Sequence, residues 1–379
     1  MKILIAPDSF KESLAAQAVA EQIAAGIRDA LPSADCRIAP MADGGEGTVA
    51  AMVAAMDGQI RQISVTGPLG EPVMACYGLS GQTAIVEMAA AAGLALVPPA
   101  RRDPSQTTSF GVGQMIRDAL DQGARHLIIG IGGSATNDGG AGLAQALGIR
   151  LLDADDRDLP FGGGALARLV RIDMAGLDAR LQACRVEVAC DVDNPLIGPQ
   201  GASAIFAPQK GADAAMVRRL DKALSHLAEI LRRQMRLDVA NLPGGGAAGG
   251  LGAGLHAFLG ATLRPGVDII SQAIGLPDRI AWADLVITGE GRLDGQSLHG
   301  KVPVGVARLA VAQGKPVIAI AGSLGDGAER LREAGIGAMV SCVPGPCSLE
   351  SALDGAAANI RRTARTLAEL LRLGAKIKP

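Results

Sequence analysis

Short β-branched runs alternate with helical stretches along most of this 379-residue chain, and several of the runs end in loops rich in glycine and acid. Consecutive strands joined through helices lie parallel, with the helices on the sheet faces, so this pattern commits the chain to parallel α/β layers. Strands are expected over 2–6, 36–39 and 60–65, with helices over 14–30 and 46–56, before a Gly/Pro-rich turn at 66–72. The middle of the chain has strands over 83–87, 126–131 and 186–190 and a long amphipathic helix over 213–235. In that helix Val217, Leu220, Leu224, Leu227 and Leu231 fall at three- and four-residue spacings and form one apolar stripe. After Gly275 the rhythm returns, with strands over 284–288, 316–321 and 338–342 and helices over 303–313, 326–334 and 349–373. The simplest architecture is a doubly wound, Rossmann-like domain built from both chain ends, 1–66 and 276–379. A second α/β domain, 67–275, is then inserted; a linear two-domain split is the alternative.

Composition narrows the function classes. Glycine is abundant, 51 residues, but 49% hydrophobic residues and a net charge of −2 exclude a disordered low-complexity chain. The same charge leaves no basic field for nucleic acid or anionic lipid. One Trp, one Tyr and five Phe are too few for an aromatic stacking platform. The N-terminal apolar run is too short for a signal peptide. Residues 239–263 carry no Asp, Glu, Lys or Arg, but their glycines, Pro243, Asn241 and His256 make the stretch too polar for a membrane span. It reads as a buried glycine loop leading into a short helix. Six cysteines without C-x-x-C or zinc spacing read as reduced thiols of a cytoplasmic protein.

Five loops carry candidate chemistry. After the first strand, Asp8, Ser9 and Lys11 stand where open parallel sheets bind ligands. Ser9 and Glu12 also have the spacing of a capping box, which leaves Asp8 and Lys11 without a structural task. The second strand ends in Asp43-Gly-Gly-Glu46, again with capping spacing. The third loop, G-I-G-G-S-A-T-N-D-G-G-A-G (130–142), offers consecutive backbone amides, with Gly132, Gly133, Ser134, Thr136 and Asn137 suited to an anion and Asp138 as a helix cap. It fails the dinucleotide fingerprint because Ala135 replaces the third glycine. In the fourth, Asp191 and Asp193 could share a hard cation or accept from hydroxyls, and Lys210 downstream could neutralise phosphate, although a solvated lysine is the default. The fifth, which also contains Gly289 and His299, holds Glu290, Arg292, Asp294 and Lys301, a set suited to magnesium-bound phosphate, but Val302 stands where a P-loop needs Ser or Thr.

Taken together these motifs resemble the type 1 bacterial glycerate kinases. The resemblance rests on P-D-S-F-K-E-S-L (7–14), P-M-A-D-G-G-E-G-T (40–48), the 130–142 loop, C-D-V-D-N-P-L (190–196), P-Q-K-G-A (208–212), G-G-G-A-A-G-G-L-G (244–252) and T-G-E-G-R-L-D-G-Q (288–296). The chain departs from the family pattern at Glu12 and Ala207, often glycine there, and at Ser297, often threonine. The resemblance implies a flavodoxin-like domain with a second domain inserted, and ATP- and Mg2+-dependent phosphorylation of D-glycerate, mostly to 2-phosphoglycerate.

On that basis Asp191 or Asp193 is expected to act as base, with Lys11 and Arg292 beside the reacting groups. Asp8, Ser9, Asp43, Ser134, Thr136, Asn137 and Asp138 are expected to bind substrate. Gly132, Gly133, Lys210, Gly289 and Lys301 are expected to bind nucleotide phosphates, and Glu290 and Asp294 the metal. The expected partners are D-glycerate and ATP, without nucleic acid or membrane; a homodimer is left open. Phosphorylation of the 3-hydroxyl is the alternative outcome, followed by a non-catalytic sugar-acid-binding protein. A dehydrogenase lacks its glycine fingerprint here.

Overall fold

The computed structural model describes residues 1–298 and 300–377. Its strands, in chain order, begin with β1 (Lys2–Ile5), β2 (Asp35–Ile38), β3 (Gln59–Thr66), β4 (Pro72–Ser80), β5 (Thr83–Glu87), β6 (His126–Gly130) and β7 (Arg150–Leu152). They continue with β8 (Arg171–Asp173), β9 (Arg185–Ala189), β10 (Thr262–Arg264), β11 (Leu285–Leu293), β12 (Val317–Leu324) and β13 (Ala338–Ser341). The chain divides into two compact units: the first holds Met1–Asp43, Ala50–Asp57 and the chain from Val267 onward, the second Gly44–Val49 and Gly58–Gly266.

In the first unit five strands run in the order β13-β12-β11-β1-β2, and every pair is parallel. Counted within that unit the order is 2-1-3-4-5, the flavodoxin-like winding, whose ligands bind where the winding reverses, between β1 and β11. β1 buries Ile3, Leu4 and Ile5 completely, as a strand with helices on both faces must. The helix Ala16–Ala30 turns Val19, Ile23 and Ile27 inward at four-residue spacing, against Ile360, Ala364 and Leu367 of the helix Ala356–Gly374. The two backbones approach so closely that a Cβ on Gly26 would stand 2.1 Å from the carbonyl oxygen of Arg361. Gly26→Val is therefore expected to destabilise this unit by about 2 kcal/mol or more, seen as a lower thermal midpoint with unchanged helix content in the folded state. A midpoint at or above that of the parent chain would contradict this packing.

The second unit is built on a six-stranded sheet, β10-β9-β6-β5-β4-β3, parallel except where β4 pairs with β3 and with β5. One sheet face packs Tyr77, Val86, Leu127, Ile129 and Val188 against Val112, Met115, Ile116, Leu143, Leu251 and Leu255. A second core gathers around the helix Ala214–Met235, which buries Leu220, Leu224, Leu227 and Leu231 and is capped by Asp213 accepting from the Met216 amide at 2.7 Å.

Several elements differ from the sequence reading. The strand expected at 60–65 belongs to the second unit, as the antiparallel edge partner of β4, so the division falls near residue 58 rather than 66. Its alternation of exposed and partly buried residues carries no information about which sheet it joins. Glu12 and Ser9 form no capping box: Phe10 and Leu14 exchange backbone hydrogen bonds, Glu12 turns the chain at φ +64°, and the helix starts at Ala16 with no side-chain cap. That left-handed turn favours glycine. The helix after β2 begins at Thr48, and its Val49 amide donates to Glu87 Oε1 at 2.7 Å. The helix expected at 326–334 is a single 3₁₀ turn, Ala328–Arg332, and the closing helix breaks at Gly355 into Leu349–Asp354 and Ala356–Gly374.

Candidate active site

Beyond the carboxyl ends of β1 and β11 lies a cavity of about 500 Å³ within the first unit. Its polar wall collects residues far apart in sequence: Asp8, Ser9, Lys11, Asp43, Glu290, Arg292 and Lys301. The topology explains their meeting. The loop after β1 stays beside β11, with the Asp8 amide donating to the Gly289 carbonyl at 2.8 Å. The loop after β2 stays beside that one, the Met41 amide donating to the Pro7 carbonyl at 2.9 Å. β11 itself runs on as far as Leu293, paired only with β12, so Glu290 and Arg292 extend past the end of β1. Gly289 lets β11 and β12 lie close together here, since a Cβ there would meet the Ile320 carbonyl oxygen at 2.1 Å.

The electrostatics of this wall are strained. Asp8 is 8% exposed, and its carboxyl is pushed up to about 7 by burial first and then by the negative charges of Asp43 and Glu290. The Ser9 amide, donating to Asp8 Oδ1 at 2.6 Å, and the Lys11 charge oppose that rise. Burial also raises Glu290 above the usual carboxylate range, against the Lys301 ammonium at 2.7 Å and the Ser297 hydroxyl at 3.3 Å. Asp8, Asp43 and Glu290 are three of the four carboxylates lining the cavity, the fourth being the exposed Glu12; with three cations on the rim, they are hard oxygen donors positioned for a cation and its anionic ligand. Among the described residues no ready-made cage of three metal-binding side chains exists. Mg2+ rarely uses one, since it is usually held by one or two carboxylates together with substrate phosphates and water.

Asp294 sits differently. Its carboxylate accepts from Arg292 Nε at 2.9 Å and from the Gln296 amide at 3.0 Å, which closes the turn after β11. His299 lies outside the described residues.

The remaining sequence candidates lie in the second unit. Gly132 and Gly133 are exposed, while Ser134 to Gly140 are buried. Asp138 is fully buried and receives four donors: the Ser109 amide and hydroxyl and the amides of Gly140 and Gly142. Its carboxylate thereby shapes the loop from inside. Asn137 donates to Ser203 Oγ at 3.0 Å. Lys210 is not solvated: it is 2% exposed, and its Nζ reaches Ser134 Oγ and the Thr136 carbonyl, each at 2.7 Å. Burial lowers this ammonium to about 7, with Asp138 opposing the shift. Asp191 and Asp193 are exposed, and Asp191 Oδ1 accepts from the Gly266 amide at 3.0 Å, at the start of the helix Gly266–Ala273.

The cavity's other wall is apolar and is not marked by any motif: Phe10, Cys342, Val343, Leu349, Ala352, Leu353 and Ala356. Cys342 falls at the end of an expected strand, and Leu349, Ala352, Leu353 and Ala356 fall in an expected unbroken helix, where an apolar residue signals only packing.

A ligand site of acids and cations at the switch point of a parallel sheet is the arrangement of α/β enzymes that handle phosphorylated ligands. Comparison with known proteins sharpens that class. The model of the glycerate kinase family matches residues 3–372. The chain is 54% identical to the glycerate 2-kinase of Escherichia coli K12 over 376 residues, covering 99% of each protein. It is 52% identical to a glycerate kinase of Bacillus subtilis 168, covering 98% of each. A crystal structure described as glycerate kinase 2 from Salmonella typhimurium LT2 superposes with a TM-score of 0.92 at 56% identity, over the whole of both chains. The chain belongs to the glycerate kinase family, and it is an enzyme of the kinase class.

Proposed function

We propose that this enzyme transfers the γ-phosphoryl group of ATP to the 2-hydroxyl of D-glycerate, giving 2-phospho-D-glycerate, ADP and a proton. The observation that carries the reading is the cavity at the β1/β11 switch point, where Asp8, Asp43 and Glu290 face Lys11, Arg292 and Lys301. The relative named a glycerate 2-kinase, at 54% identity, supports the choice of hydroxyl.

Phosphoryl transfer asks little covalent chemistry of a protein; it asks for in-line positioning and neutralised charge. Asp8 holds the acceptor hydroxyl and takes its proton as the oxygen attacks, a role the sequence suggested for Asp191 or Asp193. Lys11 and Arg292 offset the charge of the transferring phosphoryl group and the acceptor carboxylate. Lys301 neutralises phosphate while anchoring Glu290. The donor chemistry of Asp43 and Glu290 fits Mg2+, and these two would hold it. Bound there, the ion would neutralise phosphate oxygens of the nucleotide. In the second unit the Gly132–Gly133 backbone and Ser134 bind an anionic group, with Thr136 and Asn137 fixing the loop. Six free cysteines suit a cytoplasmic enzyme.

The test is direct. With D-glycerate and Mg-ATP the protein should release ADP, and phosphorus NMR should show a single 2-phospho product. A 3-phospho product would correct the hydroxyl. No ADP release would overturn the kinase assignment of this substrate pair.

A further inference from the structure

The apolar wall of the first unit's cavity has no task in the chemistry above. A three-carbon hydroxy acid and a triphosphate chain are polar throughout, and neither has a surface to lay against Val343, Leu349, Ala352 and Leu353. Yet this wall is built. The Cys342 amide donates to the Ala321 carbonyl at 2.7 Å, and the Cys342 carbonyl accepts from Arg362 Nη2 at 2.8 Å, which fixes the chain after β13. Opposite, Ser13 Oγ donates to the Leu353 carbonyl at 3.1 Å, tying the helix Leu349–Asp354 to the same loop that carries Asp8 and Lys11. Leu349, at the start of that helix, is 70% exposed at the rim of the cavity. An exposed leucine is ordinary by itself. One at the rim of an apolar wall, continuous with a polar wall suited to phosphates, calls for a ligand with one apolar and one anionic end.

We propose that Val343, Leu349, Ala352 and Leu353 receive the purine ring of the nucleotide donor, with its phosphates directed toward Lys11, Arg292 and Lys301. The proposal rests on the kinase reading and adds the location of the base. A cavity of about 500 Å³ is within the range that encloses a nucleotide-sized ligand. The ring packs between aliphatic side chains. Phe10, the one aromatic residue lining the cavity among the described residues, is 4% exposed and belongs to the unit's core.

Two variants test it. Ala352→Phe fills the space for the ring, and Leu349→Ala removes an exposed part of the wall without disturbing the core. Each should raise the KM for ATP and the Kd for ADP roughly 10-fold. The KM for D-glycerate and the Kd for inorganic tripolyphosphate, which has phosphates but no base, should stay within about 2-fold of the parent. Equal losses for ADP and tripolyphosphate would overturn the proposal, as would parental ADP affinity in both variants. Photolabelling of the parent enzyme with 8-azido-ATP supplies a readout independent of any variant. Label on the 342–356 segment is expected, and label confined to the second unit would overturn the assignment. The two readings fail separately: a parent enzyme that releases no ADP defeats the kinase reading. A parent that turns over normally while both variants keep its KM for ATP defeats only the base site.

Discussion

Asp8→Asn lowers kcat by at least ~10² and raises the thermal midpoint of the folded enzyme, while Asp191→Asn leaves kcat within about 3-fold of the parent. The first substitution is close to isosteric, and an asparagine Oδ1 can still accept the Ser9 amide that now donates to Asp8 at 2.6 Å. What it removes is a carboxylate held in a buried site facing Asp43 and Glu290. Ionised, that group opposes folding through lost hydration and like-charge repulsion, so a neutral amide should make the first unit more stable as it makes the enzyme slower. Loss of activity with a gain in stability is the signature of a functional group held against its own solvation. Asp191 differs in both respects, being exposed and bonded to the Gly266 amide. If Asp191→Asn lost the hundredfold and Asp8→Asn kept its turnover, the base would lie in the second unit.

The second large effect concerns Lys210. In the unfolded chain its ammonium titrates near 10.5, and in the folded enzyme burial lowers it to about 7. Between those values the unfolded chain binds the extra proton, so stability rises with pH across that window and the penalty is complete below pH 7. Asp138 is the charged group that opposes the shift, and it is itself saturated by donors from Ser109, Gly140 and Gly142. One proton is worth at most about 1.4 kcal/mol per pH unit, so the parent should gain several degrees in midpoint between pH 7 and pH 9 relative to Lys210→Met. Lys210→Met removes the titration along with the bonds to Ser134 and Thr136, so the informative quantity is the slope of the difference with pH. Parallel curves for the two proteins would show that Lys210 stays charged across the window. Lys210→Met should also weaken anion binding at the 130–142 loop, since the loop loses the side chain that ties Ser134 and Thr136 together.

Much of the fold was legible because the signals involved are local. The buried hydrophobic run of β1, the stripe Leu220, Leu224, Leu227 and Leu231, and the return of strand–helix alternation after Gly275 each follow from side-chain periodicity alone. The loops were legible for the same reason, since acids and glycines cluster at the ends of readable strands, but residue type does not separate Asp138 and Asp294, which shape their own loops, from Asp8. The misreadings were of another kind. Ser9 and Glu12 had capping spacing, but the 7–14 segment bonds to itself and leaves the helix to begin without a cap. The strand at Gln59–Thr66 was placed correctly along the chain and wrongly in space, because pairing with β4 is decided by a neighbour, not by its own residues.

The sequence by itself determined the alternation of strands and helices, the family, and the loops that carry acids and bases. Only the tertiary structure decided which of those residues share a site. Asp8, Asp43 and Glu290 are spread over nearly 300 positions of sequence, and they converge because the 2-1-3-4-5 winding sets β1 between β11 and β2. It also separated roles that the sequence left equal. Asp8 and Asp191 are both acids after strands, but one is buried among charges and the other is exposed on the surface. Lys210, expected to meet phosphate and solvated by default, is a buried ammonium for the same reason. Charge and residue type are written in the sequence; solvation is a property of neighbours, and it decides which charges are costly enough to be useful.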